Sequence, residues 1–111
     1  MLTTESLKQF GANVDEALVR CMNDEGFYIM LVNKVKDDKT IEKLEKYIND
    51  KDLENAFEAA HTLKGMYANL SLAPLEKPMA EMTELLRGKT DTDYSALLEE
   101  TKKQFEILCA L

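Results

Sequence analysis

Apolar side chains recur along this chain at three- and four-residue steps, and the alternation of a half-buried strand is sustained nowhere. Leu7 and Phe10 predict a short first helix that Gly11 stops. Asn13 or Asp15 is placed to cap a second, with Val14, Ala17, Leu18 and Cys21 on one side. Asn23-Asp24-Glu25 opens a third, since acidic side chains suit the positive end of a helix dipole. Phe27, Leu31 and Val35 follow at four-residue steps, with Tyr28 and Val32 alongside. The charged run Lys36-Asp37-Asp38-Lys39 predicts a break or an exposed turn, after which Thr40 is expected to cap a segment turning Ile41, Leu44, Tyr47 and Ile48 inward. A turn at Asn49 to Asp52 precedes a longer helix from about Leu53 to Leu70. Pro74 suits the first turn of the next helix, and Pro78 is expected to delay its start or bend it. That helix carries Leu75, Met79, Met82, Leu85 and Leu86 and ends at Gly88. A last stripe joins Tyr94, Leu97, Leu98, Thr101, Phe105 and Leu108. Four major amphipathic helices on short loops, with one or two short helices in front, imply an all-α antiparallel four-helix bundle. Residues 1–111 read as a single domain of that kind.

Composition narrows the partners. With 45% hydrophobic residues the chain has a core to build, and four Gly and two Pro are too few for a turn-dense β fold. Lys and Arg number 14 against 21 Asp and Glu, a net charge of −7. Counterion release cannot favour nucleic acid on such a surface without a basic stripe, and none is present, so neither nucleic acid nor an anionic membrane is expected as a partner. The longest apolar run, Phe27 to Val32, is too short to span a bilayer. The stretch Met1 to Glu5 lacks the basic start and apolar core of a signal peptide, which predicts a cytoplasmic chain. Cys21 and Cys109 lie among apolar neighbours and are expected to be two buried thiols in a reducing compartment.

The chemistry concentrates on the helix that carries the only histidine. At about 100° per residue, Leu53, Ala56, Phe57, Ala60, Leu63, Tyr67 and Leu70 form one apolar stripe, and His61 falls roughly 115° from its centre, on the flank. Gly65 follows one turn later on the same face, where a helix-interior glycine costs about 1 kcal/mol relative to Ala. Ala68 is the next small residue along that flank, and Lys64 projects a cation beside the imidazole. A histidine whose neighbouring turn is pared to hydrogen and methyl is open to something large and flat. The nearby ammonium suits an anion on the ring nitrogen, and imidazole is the neutral nucleophile at hand near physiological pH. The constellation fits a histidine that accepts a phosphoryl group from another protein.

Ala60-His61-Thr62-Leu63-Lys64-Gly65, followed by Ala68-Asn69-Leu70, resembles the signature of the histidine-containing phosphotransfer (HPt) domains of bacterial multistep phosphorelays. Asn23 to Tyr28 resembles the start of the family's preceding helix, and Leu85-Leu86-Arg87-Gly88 its usual close to the following one. The resemblance implies a four-helix bundle with a small N-terminal helix or two. It also implies that His61 is phosphorylated through Nε2, that Lys64 lies against the phosphoryl oxygens, and that Gly65 and Ala68 keep the docking face clear. The implied partners are receiver domains of hybrid histidine kinases and response regulators. The chain itself would be a monomeric phosphocarrier with no cofactor and no turnover of its own, Mg²⁺ being expected only in the partner receiver. Ser71 stands where the family usually has Gly, and is expected to cap the next helix instead. Met66, larger than the residues common there, is expected to point outward toward a partner.

Other functions fit less well. Ser6, Ser71, Ser95 or either cysteine could be matched with His61 as nucleophile and base, but no nucleophile elbow or Cys box accompanies them. One histidine and no Cys pair make a metal site unexpected, and the acidic turns at Asp37-Asp38 and Asp91 to Asp93 lack EF-hand spacing. A sensor kinase would need an ATP-binding domain, which 111 residues do not hold. The alternative of substance is an HPt-like docking module that binds receiver domains without passing phosphate.

Overall fold

A computed structural model of the chain describes residues 2–111; Met1, part of the N-terminal stretch read above, lies outside them. Seven helices and no strand occur among the described residues: α1 (Thr4–Phe10), α2 (Val14–Arg20), α3 (Glu25–Asp37), α4 (Thr40–Asn49), α5 (Leu53–Asn69), α6 (Ala73–Arg87) and α7 (Ser95–Cys109). Most starts follow the capping chemistry in the sequence. Thr3 and Ser6 form a reciprocal capping box on α1, and the side chains of Asn13, Asp24 and Asp52 accept the orphan amides of Glu16, Phe27 and Asn55 on α2, α3 and α5. Thr40 is a correction, for it is the first residue of α4, and the Asp38 carboxylate accepts its amide.

The helices form an elongated bundle, about 41 Å in its longest dimension. Its most extensive packing is α5 on α6, followed by α4 on α5 and α6 on α7. Lys102 of α7 reaches Glu45 of α4 at 3.0 Å, and α3 lies against α7. Tyr28, Val32 and Val35 turn α3 into the core, so the expected Phe27 stripe is displaced: Phe27 and Met30 remain over 40% exposed. Pro78 does not delay α6, which begins at Ala73 and carries Pro78 on its buried face. Only Cys21 is buried; Cys109, at the end of α7, is exposed.

The end of the histidine helix is fastened from a distance. Helix α5 closes on a Schellman motif in which the Leu72 amide donates to the Tyr67 carbonyl and the Ser71 amide to Ala68. Ser71 takes the left-handed position, φ +53, that glycine usually fills, and is buried. It does not cap α6. Leu72 precedes that helix without a side-chain bond, while the Ser71 hydroxyl accepts Arg20 Nη1 at 2.8 Å. Arg20 also donates to the Asn69 carbonyl at 3.2 Å, the Tyr28 hydroxyl to Leu70 at 2.9 Å, and the Asn13 amide to Ser71 at 2.9 Å. Three successive carbonyls that a helix end would leave orphaned are thus satisfied by α2, its cap and α3. Gly11 permits the close approach of this segment. Its φ is +113, and a Cβ there would stand 3.0 Å from Pro74 Cγ.

Candidate functional site

Leu63 and Tyr67, with Ala56, Ala59 and Ala60, bury one side of α5, which leaves His61 on the outer flank as an exposed side chain. Lys64, Gly65 and Ala68 follow it at i+3, i+4 and i+7, so the four share one face. Lys64 and Ala68 are half-buried, and Gly65 is exposed. The structure therefore brings the four expected site residues together. A Cβ built on Gly65 meets no atom within 4 Å, so no packing constraint demands glycine there. The missing side chain clears space outside the protein.

Two residues at the site escaped the sequence reading. The Phe57 ring stacks on the His61 imidazole, with centroids 5.6 Å apart and planes within 7°. The Arg87 guanidinium carbon, from the end of α6, stands 5.1 Å from the Phe57 centroid, and Arg87 Nε is 3.4 Å from the Glu84 carboxylate. The i,i+4 spacing of Phe57 and His61 carried a signal of the first contact. Nothing in the sequence carried the second, because it depends on how α6 registers against α5. Met66 is a correction as well: it packs partly against the core and lines a groove of about 240 Å³ with Leu31, Lys34, Val35 and Asp38.

The hydroxyls of Ser6, Ser71 and Ser95 are engaged with Thr3, Arg20 and Asp93 respectively. A cleft of about 600 Å³ lies between the α4–α5 turn and the start of α7, and His61 does not line it. Among the described residues no group of three or more His, Cys, Asp or Glu side chains is placed to hold a metal ion, and no helix is long and apolar enough to cross a membrane.

The result is a helical bundle that presents an outward histidine, with a cation and a bare glycine on the same face. The family model of the Hpt domain matches residues 35–110, and the chain belongs to that family. Hpt domains are phosphocarrier modules that act in phosphorelays and interact there with receiver domains. No curated protein and no solved structure matches the chain significantly.

Proposed function

We propose that this protein accepts a phosphoryl group on His61 from the aspartyl phosphate of one receiver domain and delivers it to the aspartate of another. The observation that carries this reading is the face of α5 itself: an exposed histidine, a cation at i+3, and at i+4 a glycine whose absent side chain would meet nothing. A helix interior accepts the cost of such a glycine only for a reason, and clearance for an incoming surface supplies one.

In the proposed transfer, a receiver brings its aspartyl phosphate and its own Mg²⁺ against the flank of α5. The lone pair of neutral imidazole Nε2 attacks phosphorus in line. The bond to phosphorus forms as the aspartyl P–O bond breaks, and the aspartate leaves as carboxylate. Lys64 lies beside the oxygens of the transferred group, Gly65 and Ala68 admit the receiver's surface, and the return step onto a second aspartate reverses the same movements. The bundle contributes orientation and electrostatics, which is where most of the catalysis of phosphoryl transfer resides. The chain holds the group between two partners and turns nothing over alone.

Incubation with a labelled phospho-receiver and Mg²⁺ tests the reading. The transferred label should be acid-labile and alkali-stable, as a phosphoramidate is, and His61→Gln should keep its circular dichroism spectrum and take up nothing. Label persisting on that variant would remove His61 from the reading. A wild-type chain that binds the receiver but never takes label would establish the docking module instead.

A further inference from the structure

Attack on phosphorus uses a nitrogen lone pair that lies in the plane of the imidazole, so the tilt of that plane sets the line of attack. An exposed histidine is poorly suited to hold one tilt, since its outer side-chain torsion has a broad, roughly two-fold preference. The contact that the structure gives the His61 ring is a flat one: the Phe57 ring lies 7° from parallel at a centroid distance of 5.6 Å, within the range of offset aromatic pairs. Phe57 is itself held. It packs partly against the core, and Arg87 stands 5.1 Å from its centroid while paired with Glu84. The chain of contacts Glu84–Arg87–Phe57–His61 runs from α6 to the exposed imidazole.

We propose that Phe57 is a positioning residue for phosphoryl transfer, its ring holding the plane of the His61 imidazole and with it the direction of the attacking lone pair. The inference rests on His61 being the phosphoryl acceptor, and its test uses a donor that needs no docking. Phosphoramidate reacts with imidazole as the N–P bond to the ring forms and the donor's own P–N bond breaks, ammonia leaving with that electron pair. Phe57→Leu keeps an apolar side chain but removes the flat face; Phe57→Tyr keeps both.

The experiment follows phosphoramidate labelling of the whole chain beside the proton spectrum of its single imidazole. In the wild type the His61 ring protons should be shifted upfield by the neighbouring ring current and show cross-relaxation to Phe57. The leucine variant should lose that shift and react about three- to tenfold more slowly, on the scale of one aromatic pair. The tyrosine variant should restore both. Equal rates for the wild type and the leucine variant would overturn the proposal. So would a wild-type imidazole without the shift, a result independent of how any variant folds. Normal labelling and ring effects in a chain that takes nothing from phospho-receivers would instead break the relay reading and leave the role of Phe57 standing.

Discussion

Lys64 can act on the reaction in one of two ways, and charge arithmetic separates them. Two unit charges about 4 Å apart attract by roughly 1 kcal/mol in water and about 4 kcal/mol at an effective dielectric of 20. Lys64 is half-buried beside an exposed histidine, which sets the lower end before docking and a higher one after water leaves. Lys64→Ala should therefore slow transfer by about ten- to a few hundredfold without abolishing it, and salt should shrink the difference. Stopped-flow rates at two ionic strengths decide this; an unchanged rate would mean that the lysine only covers the core with its stem. Gly65 calls for the opposite experiment. Because its absent Cβ meets nothing within 4 Å, Gly65→Leu should fold without a clash and gain about 0.5–1 kcal/mol of helix propensity. Its melting temperature should hold or rise as transfer from a receiver collapses, while the small donor phosphoramidate still reaches His61. These residues were legible in the sequence because they share one helix, where spacing alone decides who faces whom. Arg87 was not, since its contact with Phe57 joins α6 to α5 and no local pattern encodes it.

Helix ends show where local rules yield to tertiary ones. Helix α6 does end at Gly88, where the sequence places its stop, but Gly88 has φ −83, and the left-handed residue is Lys89 at φ +50. Lys89 donates to the Leu86 carbonyl and Thr90 to Leu85, the Schellman pattern with a lysine in the glycine position. Lys51 ends α4 in the same way at φ +56, bonded to Ile48, with Asp52 bonded to Tyr47. A left-handed non-glycine residue costs about 1–2 kcal/mol, part of which glycine returns as chain entropy. Lys89→Gly should thus raise stability by about 0.5–1 kcal/mol in urea unfolding, whereas Ser71→Gly should gain little because it forfeits the Arg20 bond. A loss of stability in the Lys89 variant would mean that its side chain makes contacts worth more than the strain. The same limit explains the α3 stripe. Phe27 and Tyr28 open two candidate faces about 100° apart that both include Val35, and only packing against the rest of the bundle selects the one beginning at Tyr28.

Across the whole molecule, the tyrosines set the alkaline limit. Burial, then the nearby Cys21, pushes Tyr28 up to about 12 from an ordinary value of 10.0. Burial, with Asp38 and Cys109 nearby, pushes Tyr67 higher still, and Tyr94 is raised by burial and Asp91. Each holds its proton more tightly in the folded state, so its contribution is intact below pH 10 and is lost as pH climbs through the folded value. Stability should fall steadily between pH 10 and about 12, with tyrosinate absorbance rising together with the loss of helix by circular dichroism. Free titration of Tyr28, Tyr67 and Tyr94 near 10 with the spectrum unchanged would show that none of the three is sealed in the fold. The bundle as an architecture was readable from the helical period alone. The way its N-terminal third grips the rest was not, because Arg20 and Tyr28 meet partners 42 to 51 positions away.

That grip has a kinetic side. The α5–α6 pair closes across a short turn, whereas the bonds from Arg20 and Tyr28 close loops of 42 to 51 residues, and loop entropy rises by about 0.6 kcal/mol for each doubling of length. The long loops should zip last during folding and open first in the folded protein, as one sub-global unit. Hydrogen exchange should then find the amides of Ser71 and Leu72 less protected than that of Leu63 in the middle of α5. Tyr28→Phe, which leaves the Leu70 carbonyl without its donor, should speed exchange at Ser71 and Leu72 while Leu63 keeps its pace. Equal acceleration at all three would mean that the protein opens only as a whole. Under the expected outcome, the chain unfastens the last turn of its histidine helix many times for each time the bundle melts.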